Sequence, residues 1–572
     1  MRATEGDWLA GIAASPGVAV GPVFQYRPRL PDVVTVEVAD PVAEGQRLRR
    51  ALEEARLEIE ALRRQAISRV GAAEAAIFEA HALFLQDPDL VDAALATIER
   101  ERCNAEAAWN RAIEETAAAY RQMEDGYMRA RAADVLDAGR RVLRQLMDLT
   151  PPSLSFEQPV IVLAADLTPS DTARLDPTAV LGIGTEVGGP TAHSAILARA
   201  LGIPAVVGLG PALETIPAGQ LIALDGSAGR LWPAPDTELL TVMEEKRARW
   251  QEVQAAAKRT SRAAAVTQDG RSIEVAANIG GPNDVPIARE YGAEGVGLFR
   301  TEFLFLDRET APSEAEQVEA YRQAAAAMSG WPVIVRTLDV GGDKPLPYAD
   351  LGREENPFLG WRGIRFCLDR PEIFKPQLRA ILRASHDQAL KLMFPMIGTL
   401  AELRAAKRML AEARAELDAE GVGYDRQLEV GIMVEVPAAA TVADRLASEV
   451  DFFSIGTNDL SQYVMAADRG NARVAPLADA FQPAVLRLIQ RTVEAAHAAD
   501  IWVGMCGELA GNALATPLLV GLGLDELSMN APAIPAVKER IRSLHLSEAR
   551  QLAPAVLDLD SADAVVSYLE SL

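Results

Sequence analysis

From residue 263 onward, short apolar runs and longer helix-forming stretches take turns eight times. The runs fall at residues 273–278, 295–301, 333–338, 390–397, 428–436, 452–455, 502–505 and 526–529. Runs of that length, bounded by turn-forming residues, read as strands. Eight strands separated by helices, spread over about 300 residues, are the count and size of a closed (β/α)8 barrel. Few other folds accept that pattern.

A barrel of this kind places its chemistry at the carboxyl ends of its strands. Polar residues gather there: Asn278, Arg300 with Glu302, Arg336 with Asp339, Glu435, Asn458 with Asp459, and Cys506 with Glu508. Arg300, Arg336, Arg362 and Arg469 supply guanidinium forks suited to bidentate binding of phosphate and carboxylate. Glu435 and Asp459, at neighbouring strand ends, are hard oxygen donors suited to Mg²⁺ or Mn²⁺ completed by substrate and water. Lys344 ends the Gly-containing loop Asp339-Val340-Gly341-Gly342-Asp343-Lys344, where backbone approaches an anion closely. Cys506 has two readings, a buried inert thiol or a donor that delivers a proton to carbon. Taken together, the residue types imply a small substrate with both a carboxylate and a phosphate, a metal and a proton donor.

The first half of the chain has another texture. Residues 11–24 alternate Gly, small and apolar residues and read as short strands. From about 41 to 149 the sequence is rich in Ala, Glu and Arg and almost free of Gly and Pro. Leu48, Leu52, Ala55, Ile59, Leu62 and Ala66 form one apolar stripe along a long helix, and a helical bundle follows from it. Pro151 and Pro152 mark a boundary, after which residues 160–164, 180–183, 205–207 and 221–224 read as buried strands of an α/β domain ending in the turn Asp225–Gly229. The first 25 residues are expected to complete that domain, which makes the bundle an insertion. Residues 237–262 read as a linker helix, able to act as a stiff arm.

Within the α/β domain lies Gly188-Gly189-Pro190-Thr191-Ala192-His193-Ser194, just ahead of an apolar helix-forming run. Free N–H groups and a partial positive charge at a helix start favour a phosphate. His193 there can carry a phosphoryl group covalently, steadied by Thr191 and backbone amides. The competing reading is a packed or capping histidine.

The formal net charge of −24 speaks against a nucleic-acid partner, which requires a basic footprint. An acidic surface also suits a basic protein partner. No apolar run is long enough to span a membrane, no signal pattern opens the chain, and three cysteines make no disulfide framework. A cytoplasmic location is expected.

Over essentially its whole length the chain resembles the enzyme I family of the bacterial phosphoenolpyruvate-dependent sugar phosphotransferase system. The segments that carry the resemblance include Ser15-Pro16-Gly17, the His193 segment, Gly297-Leu298-Phe299-Arg300-Thr301-Glu302-Phe303, Asp339–Lys344 and Glu355-Asn356-Pro357-Phe358-Leu359-Gly360-Trp361-Arg362. Glu435-Val436-Pro437-Ala438, Ser454-Ile455-Gly456-Thr457-Asn458-Asp459-Leu460 and Gly504-Met505-Cys506-Gly507-Glu508 continue it in order. Pro190 and Ala192 depart from the Arg and Ser more often found there.

The resemblance implies an α/β multidomain fold: a swivelling phosphohistidine domain from residues 1–30 and 150–236, a helical phosphocarrier-binding insertion at 31–149, a linker helix at 237–262, and a phosphoenolpyruvate-binding, dimerising barrel at 263–572. It implies phosphoenolpyruvate held by Arg300, Arg336, Arg362, Asn458, Arg469 and Lys344, with Mg²⁺ on Glu435 and Asp459. It implies phosphorylation of His193, proton donation by Cys506, transfer to a histidine-containing phosphocarrier protein (HPr), and a homodimer. His81, in a segment that also matches, is expected to be a polar structural contact. Two rivals remain. A phosphoenolpyruvate synthase or pyruvate phosphate dikinase needs a large ATP-binding domain that the helical, Gly-poor segment does not supply, and an inactive scaffold needs loss of rim residues that are all present.

Overall fold

In the computed structural model the chain divides into two units, Met1–Glu252 and Val253–Leu572. The structure describes residues 8–27, 31–70, 78, 81–122, 126–149, 154, 156, 158–189, 195, 198–199, 201–306, 308, 310–341, 346, 348–349, 354–469 and 474–572.

In the first unit, helices α1 (Pro41–Val70), α2 (Pro88–Glu101), α3 (Ala105–Gln122) and α4 (Gly126–Leu146) form the bundle that the apolar stripe predicts. Leu48, Ala55 and Ile59 of that stripe are wholly buried and Leu52 and Leu62 nearly so, in one core with Leu90, Ile98, Trp109 and Val142. The side chain of Ala66 lies outside the described residues. A carboxylate caps α2, Asp87 accepting from the Asp89 N–H, as an orphan donor of a first turn requires. Trp109 satisfies its indole N–H inside the core by donating to the Gly139 carbonyl at 2.9 Å. His81 is wholly buried, its Nε2 3.5 Å from Asp134 and its Nδ1 3.7 Å from Asp137.

Eight strands make the sheet of the same unit: β1 (Leu9–Ala10), β2 (Ile12–Ser15), β3 (Val18–Tyr26), β4 (Val160–Ala164), β5 (Val180–Thr185), β6 (Ala205–Val207), β7 (Leu221–Asp225) and β8 (Arg230–Trp232). Their order is β1-β8-β7-β3-β4-β5-β6-β2, so strands from both ends of this unit interleave. The turn at Asp225 does not end the unit as the sequence suggested. Asp225 Oδ1 accepts from the Ser227 and Ala228 N–H groups at 3.1 and 3.0 Å, which reverses the chain into β8. Helix α5 (Pro169–Arg174) opens with a capping box between Thr168 and Asp171. Helix α6 (Thr237–Thr260) packs Met243 against Val18, Val20 and Ala223 of the sheet.

The second unit is the expected barrel. Strands β9 (Glu274–Ile279), β10 (Val296–Phe299), β11 (Val333–Arg336), β12 (Leu390–Phe394), β13 (Val430–Val434), β14 (Phe452–Ile455), β15 (Trp502–Met505) and β16 (Glu526–Met529) are all parallel, and β16 closes on β9. The last three match the apolar runs residue for residue. The first run stops one residue short of β9, and the runs at β10 to β13 overshoot their strands by two or three residues at the carboxyl end, at β11 and β12 because Leu338 and Ile397 are wholly buried in the rim loops. No described helix is long and apolar enough to cross a membrane.

The lower end of the barrel interior holds two acids. Glu526 and Glu274 are register partners on adjacent strands, and the Oε1 atom of each is buried with no hydrogen-bond partner. Gly297 and Gly504 on the flanking strands make room: a Cβ on either would lie 2.5 and 2.9 Å from Glu526 Oε1. Nearby, Lys391 pairs with Glu429 at 2.9 Å and sits 4.4 Å over the Trp502 ring.

Candidate active site

Ending eight strands at one rim fixes where their next residues point. Arg300 follows β10 and is tied down by its N–H donating to the Ile279 carbonyl at 3.0 Å. Arg336 is the last residue of β11, Glu435 follows β13 and Cys506 follows β15. Asn458 and Asp459 occupy the first turn of the helix Thr457–Met465, where a carboxylate complements the helix dipole. These residues, with Arg362 and Arg469, line one cavity of about 190 Å³. Eight of the residues singled out from sequence therefore meet: Arg300, Arg336, Arg362, Glu435, Asn458, Asp459, Arg469 and Cys506. His193, Thr191 and Lys344 lie outside the described residues, although Gly341, in the Lys344 loop, lines the cavity.

The arginines are anchored by acids set behind them. Arg336 Nη2 donates to Glu302 Oε1 at 2.8 Å, and Nη1 lies 3.3 Å from Asp339 Oδ2. Glu302 Oε1 also accepts the Asp339 N–H at 3.1 Å, locking both acids in one arrangement. Arg362 Nη2 reaches Asp339 Oδ2 at 2.9 Å and Asp459 Oδ2 at 3.2 Å. Burial works against the charge of Arg336, but Glu302, Asp339 and Glu435 outweigh it and hold its pKa above the ordinary value. Burial is likewise overcome at Arg362, chiefly by Asp339 and Asp459. Both stay cationic although buried, where charge–charge contacts are stronger than in water.

The carboxylates sit in a different balance. Burial first, and then Asp459 and Asp339, push Glu435 up to about 8 against the pull of Arg336 and Arg362. Two buried acids sharing one site resist a second negative charge. Glu435 Oε1 accepts the Met396 N–H at 2.7 Å, and Met396 takes a left-handed φ of 57° to deliver it. That conformation is costly for a side chain larger than Gly and is held by its surroundings. Asp459 Oδ1 is buried with no hydrogen bond, its nearest cation being Arg469 Nη2 at 3.4 Å. Unsatisfied oxygen and crowded negative charge are what a hard cation relieves. Among the described residues no group of three His, Cys, Asp or Glu side chains forms a metal cage. A cation held by two carboxylates that takes its other ligands from water and a phosphate is of the Mg²⁺ kind.

Cys506 lies among Leu298, Ile334, Met393 and Met433 and is almost wholly buried. Burial pushes its thiol up to about 11, against the nearby Ser454 hydroxyl and the charge of Arg336. At neutral pH it therefore keeps its proton. The turn that aims it is tight: a Cβ on Gly507 would fall 1.9 Å from Thr457 Oγ1 and 2.5 Å from the Thr457 nitrogen. Gly507→Ala is expected to lower barrel stability by about 1–3 kcal/mol through overpacking, read as an earlier midpoint in urea unfolding; an unchanged midpoint would show that the turn yields.

Sequence reasoning placed Glu302 and Asp339 at the rim but not behind the arginines. It missed Tyr463, whose hydroxyl accepts from Arg362 Nη1 at 3.1 Å. It also missed Met396, whose contribution is a backbone conformation and leaves no mark in residue type.

Comparison with known proteins agrees with this geometry. Residues 254–546 match the PEP-utilising enzyme, PEP-binding domain; residues 10–131 match its N-terminal domain and residues 156–229 its mobile domain. The chain is 48% identical over 570 residues to the phosphoenolpyruvate-protein phosphotransferase of Geobacillus stearothermophilus, covering 98% of this chain and 97% of that protein. It is 47% identical over 566 residues to the protein of the same name from Bacillus sp. (strain S), with 98% and 97% covered. The Staphylococcus carnosus (strain TM300) relative, also of that name, is 46% identical over 563 residues, with 98% of each covered. With identity of this level running from the first sheet through the barrel rim, the chain belongs to the phosphoenolpyruvate-protein phosphotransferase family of PEP-utilising enzymes.

Proposed function

We propose that this chain moves the phosphoryl group of phosphoenolpyruvate to His193 and then to a histidine-containing phosphocarrier protein, releasing pyruvate as the first step of a sugar phosphotransferase system. The observation that carries the reading is the rim cavity: four arginines, three crowded carboxylates and a protonated thiol around one small space.

Arg300, Arg336, Arg362, Arg469, Asn458 and Lys344 bind the substrate's phosphate and carboxylate, forks matching both groups. An imidazole nitrogen of His193 attacks phosphorus in line; the P–N bond forms as the bond to the enol oxygen breaks. Thr191 steadies the transferred oxygens. Glu435 and Asp459 are the residues that would hold Mg²⁺ or Mn²⁺, which would supply positive charge where negative charge develops. Cys506 gives its proton to the methylene carbon of the enolate, and pyruvate leaves. A thiol that stays protonated at neutral pH is ready for that task.

In the same reading, residues 1–30 and 150–236 are the phosphohistidine domain, 31–149 dock the phosphocarrier, 237–262 link, and 263–572 bind substrate and pair as a homodimer in the cytoplasm. Intact mass after mixing with phosphoenolpyruvate and Mg²⁺ tests it. One acid-labile phosphate is expected on the natural chain and none on His193→Ala. Labelling from ATP instead would favour the dikinase reading, and no labelling from either donor an inactive scaffold.

A further inference from the structure

Arg362 has five N–H donors, and the structure spends four of them on the protein. Nε reaches Asp339 Oδ1 at 3.4 Å, Nη2 reaches Asp339 and Asp459 at 2.9 and 3.2 Å, and Nη1 reaches the Tyr463 hydroxyl at 3.1 Å. One N–H, on Nη1, is left for an occupant of the cavity that Arg362 lines. Three of the four contacts go to carboxylates. Only the Tyr463 contact goes to a neutral acceptor, and it is made by the same nitrogen that keeps the spare donor.

Tyr463 is itself held. Its hydroxyl donates to the Phe358 carbonyl, which fixes the proton and turns a lone pair toward Arg362. Phe358 also lines the cavity, and the Arg362 guanidinium lies 5.9 Å from the centre of its ring. The tyrosine rises from the helix Thr457–Met465, whose first turn presents Asn458 and Asp459. One phenol thus joins the loop bearing Phe358 and Arg362 to the helix bearing two other cavity residues.

We propose that Tyr463 is a positioning residue for the substrate anion: by accepting from Nη1 and bracing the Phe358 carbonyl, it aims the free N–H of Arg362 into the cavity. This rests on the reading of the cavity as the phosphoenolpyruvate site. Without the hydroxyl, Asp339 and Asp459 still hold one edge of the guanidinium and its charge, but the rigid plane can tilt about those contacts, carrying Nη1 off its aim, and the loop loses its tie. The loss falls on substrate capture more than on the chemical step.

Tyr463→Phe is therefore expected to raise the KM for phosphoenolpyruvate about tenfold, worth about 1.4 kcal/mol, while kcat, followed by pyruvate release, changes less than threefold. In an Arg362→Lys background, which has no Nη1 to aim, the same change is expected to have little further effect on KM, whereas a merely structural role would multiply the two defects. A natural enzyme that neither binds phosphoenolpyruvate nor releases pyruvate overturns the functional reading and this role with it. An active natural enzyme overturns the role alone if Tyr463→Phe leaves KM unchanged, lowers kcat instead, or multiplies with Arg362→Lys.

Discussion

Arg336→Met is expected to cut kcat/KM for phosphoenolpyruvate by about a thousandfold or more, in line with arginines that stabilise a transferring phosphoryl group. The same change should destabilise the barrel by about 3 kcal/mol. Both effects have one source. The guanidinium lines the cavity and is also the counter-ion of Glu302 and Asp339, which stay buried when it is gone. Arg336→Lys should recover part of the stability, since a point charge still faces the acids. It should recover little activity, because an ammonium cannot contact Glu302, Asp339 and a ligand in one plane. Pyruvate release and urea unfolding measured on both variants decide the matter. Activity within tenfold of the natural enzyme in Arg336→Met would remove this arginine from the chemistry.

Glu526→Gln is expected to stabilise the barrel at alkaline pH and to change little at pH 5. Burial, then the neighbouring Glu274, push Glu526 up to about 8 against the pull of Lys391. Glu274 is itself raised by burial, with Lys391 opposing and Glu294 and Glu429 adding to it. Between the ordinary carboxylate range and about 8 the folded chain thus holds a proton that the unfolded chain has released. Stability must then fall as pH rises through that window, and the whole penalty is present above it. A glutamine titrates nowhere in the window and escapes the penalty. With each pKa unit worth about 1.4 kcal/mol, unfolding at pH 5, 7 and 9 should show an advantage that grows with pH to roughly 4–5 kcal/mol at pH 9. Parallel pH curves for the two proteins would mean that water or an ion satisfies the acid pair.

The barrel was legible because its apolar runs recur eight times at a strand–helix spacing that few other topologies use. Its strand ends were less so: Leu338 and Ile397 are as buried as any strand residue, and hydrophobicity does not register where hydrogen-bonded pairing stops. The rim cluster was legible for the same reason as the barrel, since residues following parallel strands must converge. What the sequence withheld depends on three-dimensional neighbours. Tyr463 acts through a hydroxyl four residues past Asp459, in a stretch that otherwise reads as an amphipathic helix. Met396 acts through its φ angle, and β8 follows a turn whose residues equally suit a chain end.

The interleaved sheet also sets a timetable for the nascent chain. The core of α1–α4 is drawn from residues 48–146 and can form as soon as they leave the ribosome. Among the described strands β1 has only β8 beside it, pairing Leu9 with Leu231, roughly 220 residues later. At 5–20 residues per second that wait is on the order of 10–40 s. For that time Leu9 and Ala10 are an unpaired edge tethered to an already folded bundle, the interval in which this protein is most exposed to mispairing and most in need of a chaperone.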